Sequence, residues 1–130
     1  QLRPNIHIED VTRLYVELLT HDSAKINGQT FNAGYQNMAI SEIAQVVKKV
    51  VEQEMPDRAP IDIVTTPTDD IRSYHVNSDK IRKALGFVPR LSVEDAVRGL
   101  VQAFRDGKLP NSMTDDLYYN VKTMQKLTAA

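Results

Sequence analysis

The stretch Asp69-Asp70-Ile71-Arg72-Ser73-Tyr74 gathers two carboxylates, a guanidinium, a hydroxyl and a phenol into six residues. Arg offers forked donors to phosphate oxygens and Asp accepts hydrogen bonds from sugar hydroxyls, so the stretch reads as a loop that grips a polar, phosphorylated ligand. The competing reading is a solvated loop whose Asp and Arg side chains pair with each other, an ordinary arrangement between elements.

A second constellation imitates a catalytic pair. Tyr118-Tyr119-Asn120-Val121-Lys122 spells Tyr-x-x-x-Lys. On one helix that spacing puts a phenol and an ammonium on the same face, where the cation lowers the phenol pKa for acid-base work. Its place in the tail favours coincidence. Other chemistry is missing from the sequence. The glycines at 28, 34, 86, 99 and 107 stand singly and form no G-x-G-x-x-G or P-loop. His7, His21 and His75 lack metal-type spacing, and no Ser sits in a nucleophile elbow. No catalytic residue and no metal ligand are expected on this chain.

The totals narrow the function classes further. The 130 residues, 42% hydrophobic and 25% charged, suit one soluble globular domain. With 16 basic and 17 acidic residues interspersed and a net charge of -1, there is no electrostatic case for nucleic acid or an anionic membrane. Zero Cys removes disulfides and thiolate sites and fits a reducing, cytoplasmic setting. No apolar run approaches the roughly 18 to 20 residues that span a bilayer. The chain begins at Gln1 rather than Met, and a piece of a longer protein is expected.

The elements that would position the polar stretch follow from periodicity. Asn5-Ile8 alternates as a short strand, and Asp10 reads as the N-cap of a helix with Val11, Leu14, Tyr15, Leu18 and Leu19 on one face. Gln29–Gly34 reads as a strand. A second helix, capped by Ser41, carries Ile43, Val46, Val47, Val50 and Val51, and Ile61–Thr65 is a β-rich run. Strand, helix, strand in that order predicts a right-handed βαβ unit. Tyr74–Val76 reads as a short strand before a Ser78-capped helix that Gly86 ends. Ser92 and Asp95 stand at capping-box spacing ahead of the last long helix, which Gly107 and Pro110 close. From Asn111 onward, Leu117, Val121, Met124 and Leu127 recur at near-helical spacing in a polar arm.

Four motifs in order resemble the extended short-chain dehydrogenases, the NAD-dependent sugar-nucleotide epimerase/dehydratase family. Arg3-Pro4-Asn5-Ile6-His7-Ile8-Glu9-Asp10-Val11 is similar to the family's Arg-x-x-[Ile/Phe]-His-Val-x-Asp-[Val/Leu] signature. Phe31-Asn32-Ala33-Gly34 followed by Ser41 resembles its Phe-Asn-Val-Gly strand and Ser-capped helix. Tyr74-His75-Val76-Asn77-Ser78-Asp79-Lys80 resembles its Tyr-x-Val-[Asp/Asn]-x-x-Lys, and Leu85-Gly86-Phe87-Val88-Pro89 its Leu-Gly-[Phe/Trp]-x-Pro.

The resemblance implies an α/β fold: the C-terminal lobe of an extended short-chain dehydrogenase, about four helices around a small sheet with a βαβ unit and a short strand pair. Residues 1–110 would form the nucleotide-sugar-binding lobe and 111–130 a C-terminal arm. It implies a substrate-binding role for Arg3 at the diphosphate and for Asp70 at the nucleoside ribose. The family's second phosphate-binding Arg falls on Pro67, a departure for which Arg72 is the proposed substitute. The Asn5-Ile8 and Tyr74-Val76 strands would pair and bring Arg3 near the polar loop. The partners implied are a nucleotide-diphosphate sugar and a missing N-terminal Rossmann half that carries the catalytic groups and mainly binds NAD or NADP, in a homodimeric parent. The fragment alone is expected to be inactive. A free-standing, non-enzymatic α/β binding or interaction module is the alternative.

Overall fold

The structure, a computed structural model, describes residues 1–69 and 71–128. The chain divides into two compact units, Gln1–Gly99 and Leu100–Ala130.

In the first unit, β1 (Leu2–Asn5) pairs antiparallel with β2 (Gln36–Ala39), with Arg3 opposite Met38 and Pro4 opposite Asn37. Between them run α1 (Ile8–Leu18) and the short α2 (Ser23–Ile26). Then come α3 (Ile40–Glu54), a 3-10 turn at Pro56–Arg58, α4 (Asp79–Leu85) and the start of α5 (Val93–Arg105). Val50, Ile81, Phe87 and Val97 are buried together with one carboxylate, Asp10.

The helices follow the apolar spacing, and the strands do not follow the alternation. The predicted strand at Asn5-Ile8 ends at Asn5, because Ile8 already opens α1. His7 rather than Asp10 is the N-cap, its Nδ1 accepting from the Glu9 amide at 3.1 Å. Asp10 lies three positions further, in the first turn, and turns its carboxylate to partners far along the chain. Of the expected face, Val11, Leu14 and Leu18 are half-buried, whereas Tyr15 and Leu19 are exposed beside Ile8 and Val16.

Gln29–Gly34 and Ile61–Thr65 are not strands, so the predicted βαβ unit is absent among the described residues. A strand needs a neighbour, and other groups take these backbones. The Ile61 amide donates to Glu52 Oε1 at 2.8 Å and its carbonyl accepts from Lys48 Nζ, both side chains of α3. The Gly34 amide donates to Ser78 Oγ at 2.8 Å and the Gly34 carbonyl accepts from that hydroxyl at 2.9 Å. A Cβ on Gly34 would stand 3.4 Å from Val76 Cγ1, so the bare backbone suits this close approach.

The capping signals are met where they are local. Glu42 reaches back to the Ala39 amide at 2.6 Å and α3 starts at Ile40 with Ala39 as its N-cap; Ser41, the expected cap, is instead the second residue of the helix. Gly86 ends α4 in the left-handed region at φ 71°, as its type suggests. Ser92 and Asp95 form the reciprocal box: the Ser92 amide donates to Asp95 Oδ2 at 2.8 Å and the Asp95 amide to Ser92 Oγ at 3.2 Å. Ser78 flanks α4 without a side-chain cap bond, since its hydroxyl serves Gly34, and Asn77 Oδ1 accepts from the Asp79 amide at 2.7 Å instead.

The second unit contains the end of α5, a 3-10 turn at Asp116–Tyr118 and α6 (Asn120–Thr128). Tyr118 and Lys122 fall on different elements, so they share no helix face. Lys122 pairs with Asp116 at 3.4 Å and lies over the ring of Tyr119, 4.3 Å from its centroid. The Tyr-x-x-x-Lys spelling is a coincidence of spacing.

Candidate functional site

The site is built on β1. Arg3 projects from this strand, and its Nη1 donates to the Leu2 carbonyl at 3.0 Å and to the Arg72 carbonyl at 2.7 Å. The guanidinium lies over the ring of Tyr74, 5.4 Å from the centroid, within cation–π range. The backbone follows the same course: the Leu2 amide donates to Ser73 Oγ at 2.8 Å and the Tyr74 amide to the Leu2 carbonyl at 3.0 Å. Residues 72–74 are thereby laid along the start of β1.

The expected pairing of Asn5-Ile8 with Tyr74-Val76 is replaced by this shorter contact, since β1 gives its ladder to β2. Further along, side chains stand in for a ladder. Asn37 on β2 donates from Nδ2 to the Val76 carbonyl at 3.0 Å and accepts the Val76 amide on Oδ1 at 2.9 Å. With Ser78 on Gly34, segment 72–78 is held at both ends, which fixes where the chain leaves the polar loop.

Of the residues the sequence singles out, Arg3 and the Arg72 backbone are in contact, and the Arg72 side chain is exposed. Asp70 lies outside the described residues. Of two holders of the loop, Ser73 belongs to the polar stretch the sequence singles out, whereas Asn37 carries no motif that marks it. The sequence predicts no strand at Gln36–Ala39, so nothing in it sets Asn37 apart. The approach to the loop, Thr65 to Thr68, lines a cleft of about 600 Å³ with Ile40, Ser41 and Ala44 of α3. Its walls combine hydroxyls with aliphatic surface, the mixture that small-molecule sites use.

A second polar constellation holds the first unit together. Asp10, 2% exposed, accepts from the Arg90 and Leu91 amides at 2.8 and 2.9 Å through Oδ2 and from Arg13 at 2.8 Å through Oδ1. Burial works to raise its pKa, but the Arg13 bond and the Leu91 and Arg90 amides prevail and hold the carboxyl below its ordinary value. Arg13 also donates to the Val88 carbonyl at 2.7 Å and stacks on Phe87 at 4.5 Å. Every donor here is internal to the fold, so the pair is structural. Among the described residues no group of three His, Asp or Glu side chains is placed to hold a metal ion. No helix described is long and apolar enough to cross a membrane.

No family model matches the sequence, and no solved structure matches it significantly. Curated proteins do. The dTDP-glucose 4,6-dehydratase of Neisseria meningitidis serogroup B is 29% identical over 118 residues, 83% of this chain and 32% of that protein. The dTDP-glucose 4,6-dehydratase 1 of Escherichia coli K12 is 27% identical over 107 residues, 78% of this chain and 29% of that protein. The Neisseria gonorrhoeae dehydratase is 28% identical over 118 residues, 83% of this chain and 33% of that protein. The chain thus spans about a third of the length of the curated relatives it matches. Motifs and similarities agree: by sequence this chain is a distant relative of the dTDP-glucose 4,6-dehydratases, with the likeness expected of a portion of an extended short-chain dehydrogenase.

Proposed function

We propose that this chain is the nucleotide-diphosphate-sugar-binding portion of an NAD(P)-dependent sugar-nucleotide epimerase or dehydratase, with residues 1–110 as the binding lobe and 111–130 as a C-terminal arm. The observation that carries the reading is the 2.7 Å contact from Arg3 to the Arg72 carbonyl, which joins the motif arginine to the polar loop 69 positions away. Arg3 takes the diphosphate, Asp70 the ribose, and Arg72 supplies the charge that the family pattern places at Pro67. The mixed cleft beside Thr65–Thr68 offers a nucleoside both hydroxyl partners and aliphatic surface. The names of the relatives make dTDP-glucose the first ligand to test.

The chain's contribution is binding energy and orientation. NAD(P), when bound, supplies the hydride acceptor and donor. Gly28, Gly86 and Gly107, the glycines at positive φ, stand singly, and none belongs to a glycine-rich turn that could cradle its phosphates. The cofactor is therefore assigned to a Rossmann half outside this chain. The exposed Ile8, Tyr15 and Val16 of α1, with Leu19 at its C-cap, give such a half an apolar face to cover. The parent is proposed to be a cytoplasmic homodimer, and the fragment alone inactive.

The test titrates UDP-, GDP-, CDP- and dTDP-sugars into the full-length protein beside Arg3→Ala and Arg72→Ala. Losing one charge-assisted phosphate contact is expected to cost about 1.5 to 3 kcal/mol. Undiminished affinity in both variants removes the site assignment, and turnover by the pure 130-residue chain refutes its inactivity.

A further inference from the structure

We propose that Tyr74 is a positioning residue for Arg3: its ring, with the carbonyls of Leu2 and Arg72, holds the guanidinium in one orientation before a diphosphate arrives. The inference rests on the reading of Arg3 as the diphosphate-binding group.

Among the described residues, the carbonyls of Leu2 and Arg72 and the ring of Tyr74 converge on this cation. Nη1 donates to both carbonyls, at 3.0 and 2.7 Å, and the ring of Tyr74 lies at 5.4 Å from the guanidinium carbon. The hydrogen bonds use an edge of the guanidinium plane and the ring meets its charge through the π face, so the two kinds of contact do not compete. The arrangement is also self-consistent, because the Leu2 carbonyl that accepts from Arg3 accepts the Tyr74 amide as well, at 3.0 Å. Arg3 and Tyr74 are thereby referred to the same backbone atom.

The ring is not part of the buried core. Tyr74 is 46% exposed and is not among the buried residues of the first unit, so its place over Arg3 calls for another reason. A long cationic side chain loses rotamer freedom when it grips an anion. If the free protein has already given up that freedom, the anion binds more tightly. The backbone amide of Tyr74 survives any replacement except proline, so truncating the ring tests the ring alone.

The experiment measures dTDP binding by calorimetry to the full-length protein. It compares wild type with Tyr74→Phe, Tyr74→Leu, Tyr74→Gln, Arg3→Ala and the Arg3→Ala/Tyr74→Leu double variant, with melting temperatures in parallel. Tyr74→Leu and Tyr74→Gln are expected to weaken binding about two- to fivefold, the range of a partly exposed cation–π contact. Tyr74→Phe, which keeps the ring, restores the affinity, and Tyr74→Leu costs nothing further once Arg3 is Ala. A structural role would lower the melting temperature and weaken binding equally with or without Arg3. That result overturns the inference while Arg3→Ala still reports the site. Unchanged affinity in Arg3→Ala overturns the site reading and the inference with it.

Discussion

The guanidinium of Arg3 donates to the backbone carbonyl of Arg72 at 2.7 Å. Substitution at the two positions therefore has unequal consequences. Arg72→Ala leaves the carbonyl in place and is expected to cost less stability than Arg3→Ala. Arg3→Ala removes the donor and the cation under Tyr74. It is expected to cost about 1 kcal/mol and to speed amide exchange at Tyr74. Denaturant melts and hydrogen exchange read both, and equal effects at the two positions would contradict the geometry.

Asp10 is the internal charge on which the first unit depends. Its removal in Asp10→Ala leaves two backbone amides and Arg13 without their acceptor, and a loss of about 3 kcal/mol is expected from denaturant unfolding. A loss below about 1 kcal/mol would show that solvent replaces the carboxylate easily.

The same residue sets an acid limit. Folding holds the Asp10 carboxyl below its ordinary value of 3.8, so the folded state binds its proton less readily than the unfolded chain. Its stabilisation is fully present above the unfolded value and is lost as pH falls through the folded one. Melting temperature should stay level down to about pH 5 and drop below about pH 4. Asp10→Asn starts lower and drops less on acidification. Parallel acid profiles for the two proteins would assign the acid limit to other carboxylates.

Asn37 substitutes for a strand ladder by bonding both backbone groups of Val76. Asn37→Ala should free the Val76 amide to exchange and cost about 1 to 2 kcal/mol, and Asn37→Asp should restore only the bond accepted from that amide. Val76 exchange unchanged in Asn37→Ala would mean that Gly34 and Ser78 hold the segment unaided.

The sequence alone determined the features whose causes lie within a few residues. The apolar stripe of α3, the left-handed stop at Gly86 and the Ser92–Asp95 box are each decided by side chains one helical turn apart, and all three are found, with Val47 of the stripe left exposed. Motif order was legible too: it pointed to the sugar-nucleotide epimerase/dehydratase family, and the curated similarities are to dehydratases. Tertiary structure decided everything that depends on a distant partner. Asp10 looks like a local cap, but its acceptors' worth is realised 80 positions away at Arg90, which left His7 to cap α1. Ile61–Thr65 has strand composition, but no neighbouring strand reaches it, and α3 side chains take the Ile61 backbone. Arg3 meets the polar loop because Leu2 offers Ser73 and Tyr74 the backbone groups that its pairing with Ala39 leaves over. Hydrogen-bond capacity is set residue by residue, whereas its allocation is settled only when the chain has folded and every buried donor has found an acceptor.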